Sequence, residues 1–151
     1  MPDNAVFRLK LMKDSTNADE TMLIFKRKAT AGYSADDASY LPGFGQVALA
    51  SVSNDGKDLS INCSPFTPGV PIGLDVRTKT DGTFLFRTSF ENKIPVYIQV
   101  WLVDTYLKDS IDVRRRNYSF TVSKSDSGSF GNRRFKLILR RNTPQQTAQP
   151  H

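Results

Sequence analysis

The stretch from Val96 to Val122 constrains the fold of this chain most strongly, because it alternates like two strands joined by an Asp-rich turn. One face of its first half carries Val96, Ile98, Val100 and Leu102, and the opposite face carries Tyr97, Gln99, Trp101 and Val103. Period-two alternation of β-branched and aromatic residues is typical of strands. Since both faces are apolar, this strand is predicted to be central and buried on both sides.

Similar alternation predicts nine strands along the chain, near residues 5–13, 20–27, 46–53, 57–63, 70–78, 82–88, 94–103, 117–123 and 133–141. In the last of them, the pattern predicts Phe135, Leu137 and Leu139 inside and Arg134, Lys136 and Arg140 outside. No segment shows convincing helical periodicity, and residues 35–40 are interpreted as an ordered loop.

Turn residues separate these strands. Asn54-Asp55-Gly56 and Asp81-Gly82 predict two hairpins, because Asp-Gly between alternating segments favours a tight turn. The sequence therefore predicts an all-β fold: an antiparallel, two-sheet, Ig-like β-sandwich of about eight to nine strands over residues 1–141, with a polar tail at 142–151. A closed barrel is the alternative, although the proline-rich connection at residues 65–71 favours two sheets.

Composition limits the chemistry that this chain can perform. The only histidine among the 151 residues is His151, and the only cysteine is Cys63, which is predicted to be a small buried hydrophobe. Catalytic Ser–His and Cys–His pairs and histidine metal sites are therefore excluded. We predict that the protein is not an enzyme, has no catalytic residues and needs no cofactor. A hydrolase fragment stays open as an alternative, and it would need two carboxylates ~5–10 Å apart in a cleft.

Acidic residues offer one further site. Asp104, Asp109 and Asp112 follow the Trp101 strand and are interpreted as turn caps, as are Asp36 and Asp37. A calcium site at Asp104, Asp109 and Asp112 is the alternative, although their spacing does not match a calcium-binding loop.

The net charge of +6 comes from the second half of the chain. A basic patch is predicted if the last two strands pair, formed by Arg114, Arg115, Arg116, Arg134, Lys136 and Arg140. A solvated positive face is the preferred interpretation of these residues, and binding of an anionic polysaccharide or lipid headgroup is the alternative. Specific nucleic-acid binding is not expected, because the neighbouring aromatics alternate to the inside.

Aromatic residues provide the other candidate binding surface. Packing in the core is the preferred interpretation of Trp101 and Tyr97. The alternative is that Trp101, Tyr97, Tyr33 and Tyr40 form a platform that stacks on sugar rings. No apolar run approaches the ~20 residues of a membrane-spanning helix, so no membrane insertion is expected. The N-terminus lacks the layout of a signal peptide.

Several short motifs occur in an order that resembles a known family. They are Phe25, Ala29-Thr30, Gly32-Tyr33, Asp36-Asp37, Tyr40, Ser53 to Gly56 and Leu59 to Asn62, followed by IPVYIQVWLVDTYLKDSIDV and NYSFTVSKSDSGSFGNRRFKLIL. Over residues 20–141 the chain resembles the surface-exposed β-sandwich modules of Bacteroidetes secreted proteins. Such modules commonly precede the C-terminal sorting domain of type IX secretion substrates, including gliding-motility adhesins.

The resemblance implies an Ig-like module that is exported to the cell surface and has no catalytic residues. Its partners would be neighbouring domains of the same polypeptide, surface polysaccharide, or the secretion or motility machinery. Thr105 stands where the family usually has lysine, so Lys108 is predicted as a substitute partner for Asp104. We expect a spacer, adhesion or interaction unit, or alternatively a carbohydrate-binding module for neutral or anionic polysaccharide.

Overall fold

The structure, a computed structural model of the chain, describes residues 1–41 and 45–142. Its strands are β1 Ala5–Met12, β2 Ala18–Phe25, β3 Ala38–Ser39, β4 Val47–Val52, β5 Asp58–Ser64, β6 Ile72–Thr78, β7 Gly82–Asn92, β8 Ile98–Asp104, β9 Asp109–Asp112, β10 Tyr118–Val122 and β11 Gly131–Arg141, and a single 3-10 turn spans Ser127–Ser129. The all-β prediction is confirmed.

Each of the nine predicted strands corresponds to an observed strand. The two additional strands, β3 and β9, have two and four residues, which is too short for alternation to be recognised. Strand β3 lies in the segment that was interpreted as a loop. Of the predicted tail at residues 142–151, only Asn142 lies within the described residues.

The strands form one hydrogen-bonded path in the order β10-β7-β1-β2-β5-β4-β6-β11-β8-β9, with β3 paired to β5. This path curls into a nearly closed, barrel-like arrangement, so a division into two sheets is not confirmed. The sheet is also not purely antiparallel, because β2 and β5 pair in parallel.

The two predicted hairpins have different outcomes. Asn54 to Gly56 joins the antiparallel strands β4 and β5, and Gly56 has the positive φ that the turn requires. The prediction of a hairpin at Asp81-Gly82 is wrong, because β6 pairs with β4 and β11, whereas β7 pairs with β1 and β10. The condition for the basic patch is not met, because the last two strands do not pair: β10 pairs with β7, and β11 lies between β6 and β8.

The core lies inside the curled sheet and follows the alternation of the strands. In β1 every second side chain is buried, as predicted: Ala5, Phe7, Leu9 and Leu11. A cluster of aromatic rings fills the interior beside β7, β10 and β11, with Phe120 4.7 Å from Phe135 and 5.1 Å from Phe86 between ring centroids. Cys63 is buried, as predicted.

Strand β8 departs from its prediction. Ile98, Val100 and Leu102 are buried, but the opposite face is only partly covered, and Tyr97 is 44% exposed. The interpretation that both faces are buried is therefore wrong, and Trp101 lies half-buried on the outer face. The reason is topological, because no second layer of the described chain covers this face of β8 and its neighbour β9 ends the sheet path.

Within residues 1–41 and 45–142, no helix is long and apolar enough to cross a membrane.

Candidate functional site

Asp104, Arg134 and Tyr118 form a buried cluster, here called the Asp104–Arg134 clasp. Asp104 is 0% exposed and Arg134 is 2% exposed. The Arg134 guanidinium donates to both carboxylate oxygens of Asp104, each at 2.9 Å, and the Tyr118 hydroxyl donates to Oδ2 at 2.6 Å. Two backbone N–H groups donate to Oδ1, from Tyr106 at 3.0 Å and from Leu107 at 3.2 Å.

The other side of the Arg134 guanidinium is also satisfied. Its Nη1 donates to the carbonyl oxygens of Thr121 and Ser129, at 2.8 and 2.9 Å. The clasp therefore joins β8, the turn after it, β10 and the loop before β11. A buried charge pair of this kind is tolerated because nearly every donor and acceptor has a partner.

Burial alone would raise the pKa of Asp104, but the hydrogen bonds from Arg134 and Tyr118 outweigh it and hold the pKa below its usual value. The pKa of Tyr118 is raised, first by burial and then by its hydrogen bond to the Asp104 carboxylate. The geometry favours a permanently charged Asp104–Arg134 pair with a neutral Tyr118. All three groups are engaged with one another inside the protein.

A bulge in β11 explains why Arg134 points inward and not outward as predicted. Between Gly131 and Phe135, β11 advances four residues while its partner β6 advances two, from Val76 to Leu74. The extra residues break the alternation, so that Arg134 and Phe135 are both buried. Arg134, and not Lys108, supplies the cation that pairs with Asp104.

The six predicted basic-patch residues do not form one surface. Arg114 is largely buried, donates to Glu91 at 3.0 Å and to the Pro95 carbonyl at 2.8 Å, and thereby holds the segment before β8. Arg115 pairs with Asp112 at 3.2 Å but stays mostly exposed. With Arg134 buried in the clasp, the cations at the surface are Arg115, Arg116, Lys136 and Arg140.

Strands β8 and β11 bring together residues from the two binding surfaces that were predicted separately, the basic patch and the aromatic surface. Their register pairs Gln99 with Arg140, Trp101 with Ile138, and Val103 with Lys136. The outward side chains of these strands, with Tyr97 from the turn just before β8, are called the β8–β11 outer face: Tyr97, Gln99, Trp101, Val103, Lys136, Ile138 and Arg140. The Trp101 indole N–H donates to Gln99 Oε1 at 3.1 Å, which fixes the ring on this face.

Tyr33 and Tyr40 do not belong to that face. They lie in the segment that carries β3 beside β5, and β4, β6 and β11 separate β5 from β8. Tyr33 is 46% exposed with the Lys57 ammonium 5.3 Å from its ring, and the Tyr40 hydroxyl donates to Asp19 at 3.0 Å. The structure therefore does not assemble a single aromatic platform from Trp101, Tyr33 and Tyr40.

The structure gives the predicted calcium residues separate partners. Asp104 belongs to the clasp, Asp109 accepts from its neighbour's N–H at 2.8 Å, and Asp112 caps the turn by accepting from Arg114 N–H at 3.2 Å. Asp37 accepts from Cys63 N–H at 2.6 Å and ties its loop to β5. In the described part of the chain, no group of three His, Cys, Asp or Glu residues could hold a metal ion.

A pair of carboxyl groups that the sequence analysis missed lies on the outer side of β5 and β6. Asp58 and Asp75 are hydrogen-bond neighbours, and Arg77 donates to Asp75 Oδ2 at 3.2 Å. Burial raises the pKa of Asp58 to about 6, and the hydrogen bond and negative charge of Asp75 act in the same direction. Asp75 Oδ1 is the one buried side-chain polar atom without a protein partner among the described residues.

A proton on Asp58 would supply a donor to Asp75, so that the two carboxyls share one negative charge. The sequence carried one signal for this pair, since Asp75 interrupts the apolar strand IGLDV. Its partner could not be found from sequence, because Asp58 lies on another strand and the intervening β4 pairs with both.

Comparisons with known proteins find no match of any kind: no family model, no curated protein and no solved structure resembles this chain. The resemblance to Bacteroidetes surface modules therefore stays a prediction from the motifs.

Proposed function

We propose that the protein is a non-catalytic interaction module that binds an acidic polysaccharide through the β8–β11 outer face. In this proposal it is an exported, cell-surface unit beside neighbouring domains of the same polypeptide. The observation that supports it is the placement of Trp101 in line with Lys136 and Arg140 on two paired strands, with the exposed Tyr97 in the turn just before β8.

The chemistry of that face suits a charged sugar chain. Aromatic side chains supply an apolar surface for the faces of sugar rings, and cations attract carboxylate or sulfate groups. The outward side chains of Gln99 and Val103 are four residues apart within β8, which corresponds to about 13 Å along an extended strand. A surface of that length fits several consecutive sugar units and not a single one.

The rigidity of the face supports binding as well. Trp101 is held by Gln99, and both strands belong to an extensively paired part of the sheet, with seven register pairs between β8 and β11. A preformed face loses little conformational entropy when a ligand binds, which favours affinity.

A second function, that of a rigid spacer between neighbouring domains, is supported by the Asp104–Arg134 clasp. The clasp ties β10, at one end of the sheet path, to β8 and β11 near its other end through charge-assisted hydrogen bonds. The two functions are compatible, because a surface module can both hold its neighbours apart and bind a glycan.

The proposal is tested by following Trp101 fluorescence while polygalacturonate is added. Dextran, a neutral polymer, is the comparison. We expect a saturable change with polygalacturonate that weakens with added salt and is lost in Trp101→Ala, as followed by calorimetry. Lys136→Ala with Arg140→Ala should weaken binding at least tenfold. Each single variant should weaken binding more than Lys28→Ala, which removes one exposed cation elsewhere and is the matched control for the single variants.

Equal weakening by Lys28→Ala would reduce the effect to net positive charge and overturn the assignment of this face. Absence of binding to any acidic polymer would leave the spacer function as the better description.

A further inference from the structure

A cavity of about 200 Å³ opens where strand β5 diverges from β4. Strands β4 and β5 share two register pairs, Ser51 with Leu59 and Val52 with Asp58, whereas β4 and β6 share six. Beyond Leu59, β5 no longer pairs with β4 and pairs instead with the short strand β3, where Ala38 is opposite Ile61. The proline-rich connection from β5 to β6 contributes Pro65, Thr67, Val70 and Pro71 to the cavity wall. The cavity lies between the end of β5, this connection and the start of β6.

Two polar side chains of β5 line this cavity, Asn62 and Ser64. They pair in register with Leu23 and Phe25 of β2, so all four side chains lie on the inner face of the sheet. Asn62 is 3% exposed and Ser64 is 9% exposed. A buried amide and a buried hydroxyl on an inner face normally find protein partners.

Neither the Asn62 amide nor the Ser64 hydroxyl has a protein partner in the part of the chain that the structure describes. No side-chain hydrogen bond joins Asn62 or Ser64 to any described residue, although the Ser64 carbonyl accepts from Lys26 N–H at 3.1 Å. Their polar atoms are not sealed in the core, because Asp75 Oδ1 is the sole fully buried polar side-chain atom without a partner in the described ranges. The amide and the hydroxyl therefore face the cavity.

The rest of the wall is mixed in character. Phe25, Val52, Ile72 and Leu139 provide apolar surface. The other polar residues of the wall are Ser53, Asn54, Thr67 and Asn132, and no charged side chain is among the described residues that line the cavity. The wall therefore suits a neutral ligand that has both hydrogen-bonding groups and an apolar face. A purely apolar ligand would leave the amide unpartnered, which costs about 1–3 kcal/mol per group.

We propose that this cavity binds one neutral pyranose ring, with Asn62 and Ser64 hydrogen-bonding to its hydroxyl groups and Phe25 contacting its apolar face. A dry cavity of about 150 Å³ holds a benzene-sized ring, so the volume here suits a six-membered ring with substituents. This site shares no residue with the β8–β11 outer face, and it does not depend on the function proposed for that face.

The experiment uses the full chain labelled with ¹⁵N, with the Asn62 side-chain amide and the Ser64 backbone amide as reporters. Methyl glucoside, methyl galactoside and N-acetylglucosamine are the probes, and cyclohexanol is the apolar comparison. We expect saturable shifts of both reporters with at least one sugar, at a Kd on the order of millimolar. Trp101 fluorescence should not respond, which separates this site from the outer face.

Asn62→Leu keeps the volume and removes the amide. We expect it to weaken sugar binding at least tenfold, read from the Ser64 reporter, without lowering Tm, because the amide has no protein partner to lose. The exposed Asn117→Leu is the matched control and should bind normally.

Three results would overturn the proposal: no saturable shift with any neutral pyranose, tighter binding of cyclohexanol than of the sugars, or unchanged sugar binding in Asn62→Leu. A large fall in Tm of Asn62→Leu would also contradict it, because that would assign the amide a structural role.

Discussion

Two clusters of ionisable side chains in the described part of the chain, one fully buried and one partly buried, are built in opposite ways. The Asp104–Arg134 clasp pairs a carboxylate with a guanidinium and satisfies both carboxylate oxygens. The Asp58–Asp75 pair places two carboxyls together and leaves Asp75 Oδ1 without a partner. Burial alone therefore does not determine the pKa of an acid, because the charged and hydrogen-bonding groups around the carboxyl decide which protonation state is favoured.

The difference extends to how each cluster responds to pH. The clasp lowers the pKa of Asp104, so its stabilisation is present above the unfolded-state pKa and is lost as the pH falls through the lower folded-state pKa. The Asp58–Asp75 pair raises the pKa of Asp58, so its stabilisation is present in acid and is lost as the pH rises towards about 6. The first cluster favours folding at neutral pH, and the second opposes it.

The largest effect is expected from breaking the clasp. Arg134→Met should lower the free energy of unfolding by about 3–5 kcal/mol at pH 7, because it leaves Asp104 charged, buried and without its cation. Urea denaturation followed by circular dichroism measures this loss. Arg133→Met, at the exposed neighbouring position, should change stability by less than about 0.5 kcal/mol. Similar losses in the two variants would show that Asp104 does not depend on Arg134.

A smaller effect is expected from Tyr118→Phe, which removes one hydrogen bond to Asp104 and keeps the ring. We expect a loss of about 1–3 kcal/mol in the free energy of unfolding at pH 7, because the hydroxyl donates to a charged, buried acceptor. Since the hydrogen bond also lowers the pKa of Asp104, the loss should shrink in strong acid. Denaturation at pH 7 and pH 3 tests both points, and a loss that is equal at the two pH values would contradict them.

The smallest effect concerns the like-charge pair. We expect the folded protein to lose about 1–2 kcal/mol between pH 4 and pH 7 from Asp58, a value reduced from the full pKa shift because Asp58 is only partly buried. Asp58→Asn should abolish this contribution, because an amide donates to Asp75 at every pH.

The measurement is the difference in unfolding free energy between Asp58→Asn and the unchanged protein at pH 4, 5, 6 and 7. Asp36→Asn, at an exposed position, should show no such trend. A difference that does not grow with pH would mean that the two carboxyls do not share a proton.

The strand positions could be predicted because alternation is a local property. In β1, neighbouring residues alone specify that Phe7, Leu9 and Leu11 face the core, and the structure agrees. The position of strand β8 was predicted correctly, but the exposure of its outer face was not. The local sequence does not indicate whether a second layer covers Trp101. The β8–β11 outer face was foreseen only as separate candidates, because their juxtaposition depends on which strands pair.

Partner choice explains the remaining differences. Asp81-Gly82 has the chemistry of a hairpin turn, yet β6 and β7 find other partners. The sequence does not distinguish Asn62 from other strand residues. Its side chain lines a cavity only because β5 diverges from β4.

By itself, the sequence determined where the strands lie and, for most of them, which face is apolar, because an extended backbone sends successive side chains to opposite sides. The tertiary structure decided the order of the strands in the sheet and the inward orientation of the Arg134 side chain at the β11 bulge. It also decided the contacts of Asp104 with Arg134 and of Asp58 with Asp75. Those contacts join residues that are distant along the chain, 30 positions apart for Asp104 and Arg134. Their energies depend on burial and on complete hydrogen bonding, which exist only once the sheet has curled around its core.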